Sequence, residues 1–290
     1  MLKVKPYYPT FPEGKQKVFT MSYDDGNDCD IPLIELMRAY GIKATFNVNS
    51  ALWSEKVEPY RPGERWRRMT PEQARSIYGT DMEVAVHGAW HPFWAEQKLV
   101  RMTADILDDR RALEKLMGYP IRGSASPYGS FNRDTEEALR LSGIEYCRMG
   151  AKATYDFRAI PENFLELQPT CKYSDPRLME LAEKFVTGNG IRNYQWMFYV
   201  WGHSYEHIRD NDFQIVENLV KYVSRRDDIW YATNIEIVDY VNASRRLRYN
   251  LDRTFVENPT NLDVWLRTKP LSESDPGIVR IPAGSHVELE

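Results

Sequence analysis

Cysteine is scarce in this chain. Its 290 residues include three, Cys29, Cys147 and Cys171. They are too few and too scattered for a disulfide framework, which points to a reducing, cytoplasmic setting. A basic excess is missing as well: Lys plus Arg is 38 and Asp plus Glu is 42, a formal charge of −4. The densest basic run, Arg61 to Arg68, is interrupted by Glu64, so nucleic acid is not an expected partner. No apolar run approaches the ~18 residues of a membrane helix; the strongest is Met197 to Trp201. Met1 to Pro6 carries no hydrophobic stretch of the signal-peptide kind. Disorder is excluded by an apolar share of 42% with 13% aromatics, enough to fill a core.

What the chain does have is alternation. Val18–Tyr23, Lys43–Val48, Met82–Val86, Ile144–Met149, Met197–Trp201 and Asp228–Tyr231 read as strands. Between them lie helical patterns: Ile31–Tyr40, a start at Thr70-Pro71-Glu72-Gln73, Thr103–Met117, Asn132–Leu141, Asp175–Val186 and Asp212–Val223, with Asn234–Leu247 last. Strands alternating with helices of this length imply βα units and a parallel sheet. Six or seven units over residues 17–246 suggest a barrel short of the usual eightfold kind. Residues 1–16 form an N-terminal extension. Residues 247–290, with short β-prone pieces between Asn-Pro, Lys-Pro, Asp-Pro-Gly and Pro-Ala-Gly turns, form a small antiparallel appendage.

In a parallel βα fold, chemistry gathers beyond the C-terminal ends of the strands. The residues found there are Asp24-Asp25-Gly26, His87 to His91, Ser126-Pro127-Tyr128-Gly129 and Gly202-His203. Three of the five histidines fall in this set. Singly, each piece has a plain reading: Asp-Gly is a common turn, the His pair has Trp90, Phe93 and Trp94 to pack on, and His203 after an apolar strand suits a structural histidine. Together, Asp25, His87 and His91 make a His₂–carboxylate set of the kind that holds a catalytic divalent ion. Gly88 and Pro92 argue that the His pair lies on a tight turn rather than a helix. Tyr128 has a backbone N–H suited to a developing oxyanion. His207 is read as facing solvent.

This ordered set resembles the polysaccharide deacetylase family, the NodB homology domain of carbohydrate esterase family 4. Tyr23-Asp24-Asp25-Gly26 matches its first motif and His87 to His91 its second, with the similarity spanning about residues 17–245. The resemblance implies a distorted (β/α)7 barrel with the C-terminal β appendage added. The implied reaction is metal-assisted removal of an acetyl group from an N-acetylated sugar. It further implies Asp24 as general base and Asp25, His87 and His91 as ligands of one divalent ion, zinc first, with cobalt, nickel or manganese as alternatives. The Tyr128 N–H becomes the oxyanion donor and His203 the general acid.

Two departures stand out. Where the family's third motif opens with an Arg that pairs with the base, this chain has Ala125; where the fourth supplies an Asp and a Trp, Gln168-Pro169-Thr170-Cys171 has neither. Arg148, at the end of the next strand, is the expected replacement for the Arg, within ~4 Å of Asp24. The departures also leave room for an amidase or O-acetyl esterase acting on a small non-polysaccharide substrate. A reading of another class is a non-catalytic carbohydrate-binding protein, which would have no use for a base and an acid.

Overall fold

The computed structural model describes residues 6–57, 59–150, 152–188, 195–269 and 277–289. Its centre is an eight-stranded sheet built on β2 (Lys17–Asp24). The other strands are β3 (Ala44–Val48), β4 (Glu83–Val86), β5 (Gly123–Ala125), β6 (Tyr146–Arg148), β7 (Cys171–Lys172), β8 (Trp196–His203) and β9 (Ile229–Tyr231). Seven follow the order β6-β5-β4-β3-β2-β8-β7, and β9 pairs with the first residues of β2. Every pair is parallel. A parallel bridge between Arg148 and Leu167 ties β6 to the segment leading into β7, so the sheet curls round on itself. This is the distorted (β/α)7 barrel.

The helices α1 (Asp30–Ala39), α2 (Pro71–Tyr78), α3 (Leu99–Met117), α4 (Arg133–Leu141), α5 (Leu178–Thr187), α6 (Ser204–Arg209) and α7 (Phe213–Val223) lie outside, while α8 (Asn234–Arg245) packs on the barrel's inner cluster. Their ends follow sequence rules. Thr70 and Gln73 form the capping box expected of α2, and Asn132 caps α4. Gly118 closes α3 in the left-handed conformation, where a side chain would be strained. Helix α5 starts at Leu178, later than the expected Asp175. Tight turns instead bond Asp175 N–H to Lys172 O and Leu178 N–H to Asp175 O. Helix α6 buries His207, which the sequence reading places toward solvent at the start of a loop or helix. The reason is local: His207 Nδ1 lies 3.0 Å from Asp212 and its ring packs 4.0 Å from that of Tyr173, so its polar edge is satisfied inside.

The period of two along a strand sorts the interior. Phe19, Met21 and Tyr23 of β2 join the core under the helices, while Val18 joins the barrel's inner cluster with Tyr146, Met197 and Tyr199. On that inner parity Thr20 Oγ1 donates to Asn234 and Ser22 Oγ accepts from the Tyr199 hydroxyl. Asp24 is the next step up. The inner face thus turns polar toward the C-terminal mouth.

Beyond α8 the appendage is two three-stranded antiparallel sheets. One holds β10 (Arg248–Tyr249), β11 (Phe255–Glu257) and β14 (His286–Glu288); the other holds β12 (Val264–Arg267), β13 (Ile278–Ile281) and β1 (Tyr8–Pro9). The N-terminal extension therefore contributes a strand to the C-terminal unit. Val256, Leu266, Ile281 and Leu289 form its small core. The Lys269-Pro270 and Asp275-Pro276 turns expected between its strands involve positions outside the described residues. Among the described residues no helix is long and apolar enough to cross a membrane.

At the opposite end from the mouth, Glu83 is buried and accepts from Thr45 Oγ1, the Tyr146 hydroxyl and Ile235 N–H. Burial pushes its carboxyl up to about 7, more than these donors offset. A carboxyl raised on folding contributes stability below its unfolded pKa, about 4.3, and loses it as pH rises toward 7. Glu83→Gln should therefore flatten the decline in urea-unfolding stability between about pH 4.5 and 7. Parallel curves for the two proteins would contradict this account of the barrel floor.

Candidate active site

Strand register places the mouth residues. Asp24 on β2 is the Cα partner of His203 on β8, and Ala125 on β5 is the partner of Arg148 on β6. Arg148 thus stands level with the position where an Arg was expected and absent, one strand farther round. Its guanidinium Nη2 donates to Asp24 Oδ2, and both side chains are almost fully buried. Asn47 Nδ2 donates to the other oxygen of Asp24 at 2.8 Å. The Arg148 guanidinium also lies over the Trp201 ring, 4.5 Å from its centroid. Room for it depends on Gly150, where a Cβ would sit 2.7 Å from Arg148 Nη1.

Burial alone would raise the Asp24 carboxyl. The Arg148 charge, with His87 and His203 behind it, wins, and holds that carboxyl far below the usual carboxylate range. His87 Nε2 and His203 Nε2 each lie 3.8 Å from Asp24 Oδ2. Asp24 is an ionised carboxylate ringed by nitrogen.

Asp25, His87 and His91 converge beside it, each with a ligand atom within 4.8 Å of the others. Asp25 leaves the strand at φ +87° and His91 sits at φ +53°, left-handed values that side chains seldom adopt. Such strain collects at functional sites. The turn from His87 to His91 is not helical, as its Gly and Pro suggested. His87 Nδ1 lies 2.9 Å from Ala125 O, which makes it the donor and leaves Nε2 with a free lone pair. Burial, followed for His91 by the neighbouring His87, lowers both imidazole pKa values and keeps the rings neutral. Their Nε2 atoms face each other at 3.2 Å. Two neutral ring nitrogens so placed need a shared proton or a cation between them. With a carboxylate alongside, this donor set fits a divalent ion.

Tyr128 follows Pro127 at φ +56°. Its ring stacks on Phe93, centroids 3.9 Å apart, and meets the edge of His91. Its N–H has no hydrogen-bond partner among the described residues. Trp90 and Tyr128 are exposed at this rim, whereas Trp94 is fully buried and belongs to the core.

Sequence reasoning misses Asn47 at Asp24, and also Arg68 and Glu206. Arg68, from the basic run noted for its charge alone, reaches Asp25 Oδ1 at 3.0 Å and Asn49 Oδ1 at 2.9 Å. Nothing in its local pattern marked it. Glu206 lies at 3.4 Å from His203 Nδ1; its spacing of three from His203, on a helix start, was the signal available.

Comparisons with known proteins bear on the fold and on the first half of the chain. Residues 12–147 match the family model described as polysaccharide deacetylase. Those residues, a little under half of the chain, are similar to that family. Among solved structures, a Mycobacterium smegmatis protein assigned as a polysaccharide deacetylase aligns over 84% of this chain and 96% of its own, at 18% identity and a TM-score of 0.57. The Xyl-CE4 domain of a multidomain xylanase from the hindgut metagenome of Trinervitermes trinervoides aligns over 79% and 92%, at 12% identity and a TM-score of 0.53. These likenesses show the fold. The Streptococcus pyogenes deacetylase PplD aligns over 51% of this chain and 61% of its own, at 19% identity and a TM-score of 0.42. No curated protein sequence matches the chain.

Arg148→Ala should cost about 3–5 kcal/mol, because it strands a buried carboxylate. Asp24 has a depressed pKa, so its contribution is present above its unfolded value near 3.9 and is lost as pH falls. The difference between Arg148→Ala and the unchanged protein should therefore shrink at low pH. Urea unfolding at pH 7 and near pH 3 checks it; a change under about 1 kcal/mol at both would remove the ion pair from its place as the mouth's main electrostatic support.

Proposed function

We propose that the protein is a metal-dependent hydrolase that removes the acetyl group from an N-acetylated sugar or polysaccharide. The observation that carries this reading is the ionised Asp24, held by Arg148 and Asn47, directly beside the Asp25, His87 and His91 donor set. A binding site has no need of a buried carboxylate held ionised beside such a donor set.

Asp25, His87 and His91 would hold the divalent ion, for which a His₂–carboxylate set favours zinc. When bound, such an ion polarises an acyl oxygen and lowers the pKa of water. The protein supplies the rest. Asp24 accepts the proton of the attacking water at its carboxylate. The Tyr128 N–H donates to the oxygen on which charge develops. His203 carries the proton that the departing amine nitrogen requires. Its ring is partly exposed at the mouth, and its pKa is raised. Burial opposes that shift, while the Glu206 and Asp24 carboxylates produce it. The exposed Trp90 ring and the stacked Phe93 and Tyr128 offer flat apolar faces for sugar C–H groups.

The test is acetate release from a panel of N-acetylated oligosaccharides, small amides and O-acetyl esters, with metal content measured in parallel. His87→Ala should lose both metal and turnover. Asp24→Asn should keep the metal and lose ~10²–10⁴ in kcat. Full turnover after removal of metal by chelation would overturn the mechanism. Turnover confined to small amides or O-acetyl esters would move the substrate away from sugars.

A further inference from the structure

His203 stands at the end of β8 with its ring between Asp24 at the mouth and Glu206 on α6. We infer that Glu206, one turn into α6, is the positioning residue that orients His203 and keeps its imidazolium available as proton donor. This rests on the deacetylase reading of the same site.

The geometry is specific. His203 ends β8 and Glu206 lies in the first turn of the helix that follows without a break. Glu206 Oε2 faces His203 Nδ1 at 3.4 Å. Each of these two atoms is buried, and among the described residues neither has a hydrogen-bond partner. Two orphaned buried polar atoms of complementary charge, one small rotation from a bond, are each other's natural partner. The other oxygen of Glu206 is already committed: Lys172 Nζ on β7 donates to Oε1 at 2.7 Å, and Arg209 lies 3.7 Å from it. Glu206 is therefore anchored through one oxygen and presents the other to the ring.

This divides the two imidazole nitrogens. Nδ1 is turned to Glu206 and Nε2 to the mouth, 3.8 Å from Asp24 Oδ2. A carboxylate on Nδ1 fixes the ring's orientation and leaves the Nε2–H as the proton to be delivered. The charged groups that face His203 are Asp24 and Asp25 from β2 and the turn after it, and Glu206 from α6. The Trp201 and Tyr205 rings flank it, and Lys172 and Arg209 act on it only through Glu206. Burial disfavours the imidazolium, and Glu206 is the first of the groups that offset it. Lys172 and His203 in turn hold the Glu206 carboxyl down at about 2 against its own burial, so it stays charged wherever His203 titrates.

The test is the titration of His203 in the full chain, followed by NMR on histidine-labelled protein and assigned with His203→Asn, alongside kcat and KM for acetate release. In the unchanged protein His203 should titrate above the ordinary value of about 6.5. Glu206→Gln should lower that midpoint by about one pH unit. A general acid must be protonated to act, so the basic limb of kcat should move to lower pH by the same amount. kcat at pH 8 should fall roughly 10- to 100-fold, with KM within about twofold and metal content unchanged. Glu206→Asp, which keeps the charge on a shorter arm, should fall between the two. A His203 midpoint at or below 6.5 in the unchanged protein overturns the proposal without any variant. So does a folded Glu206→Gln with the same midpoint. If the midpoint shifts as expected but no acetylated substrate is turned over by the unchanged protein, the positioning role stands and the deacetylase reading fails.

Discussion

A carboxylate taken out of water must find a cation, and the mouth of this barrel is arranged around that requirement. Asp24 stands on the inner parity of the central strand, where the fold gives it almost no solvent. An ion in such a place survives only if opposite charge and hydrogen bonds replace its hydration. Arg148 supplies the charge and Asn47 the second hydrogen bond. Gly150 supplies the space, and Trp201 covers the guanidinium face. His203 and the His87–His91 pair are then arrayed about a negative charge that is already settled.

The same logic explains how the chain tolerates Ala125. What the buried Asp24 carboxylate needs is a guanidinium within reach, and a sheet offers more than one origin for it. Positions paired in register on adjacent parallel strands stand at the same height. Moving the Arg from β5 to its register partner on β6 keeps its height and changes its angle of approach. The longer reach is accommodated because Arg is a long side chain and the residue two beyond it is Gly.

Much of this was legible before any coordinates, and the reasons differ by element. The βα alternation and the helix starts at Thr70 and Asn132 are local, so periodicity and capping chemistry reveal them. Asp25, His87 and His91 were legible because each follows a strand, and strand ends share one mouth. Arg148 was legible by topology, as the nearest long cation at a neighbouring strand end. The two-residue β7 was not: a strand that short has no period to read, and its existence depends on β8 being there to pair with. Nor was β1, whose partner is more than 250 residues away in sequence. The burial of His207 depends on Tyr173 and Asp212, contacts that single-chain patterning does not show.

The family match ends at residue 147, one position before Arg148. The matched part holds Asp24 and the donor set, whose geometry leaves little freedom: three side-chain atoms converge, and a strained backbone at Asp25 and His91 aims them. The unmatched part holds Arg148 and Glu206, which support charge, together with His203. A supporting charge acts through distance and a low-dielectric surrounding rather than through an aligned orbital or a fixed coordination angle. It can therefore be delivered from another strand or another helix, provided the carrier is buried and itself anchored. Arg148 meets those conditions through Asp24 and Trp201. Glu206 meets them through Lys172 and Arg209. For Arg148 and Glu206 the physics thus constrains charge and depth but leaves the element of origin open.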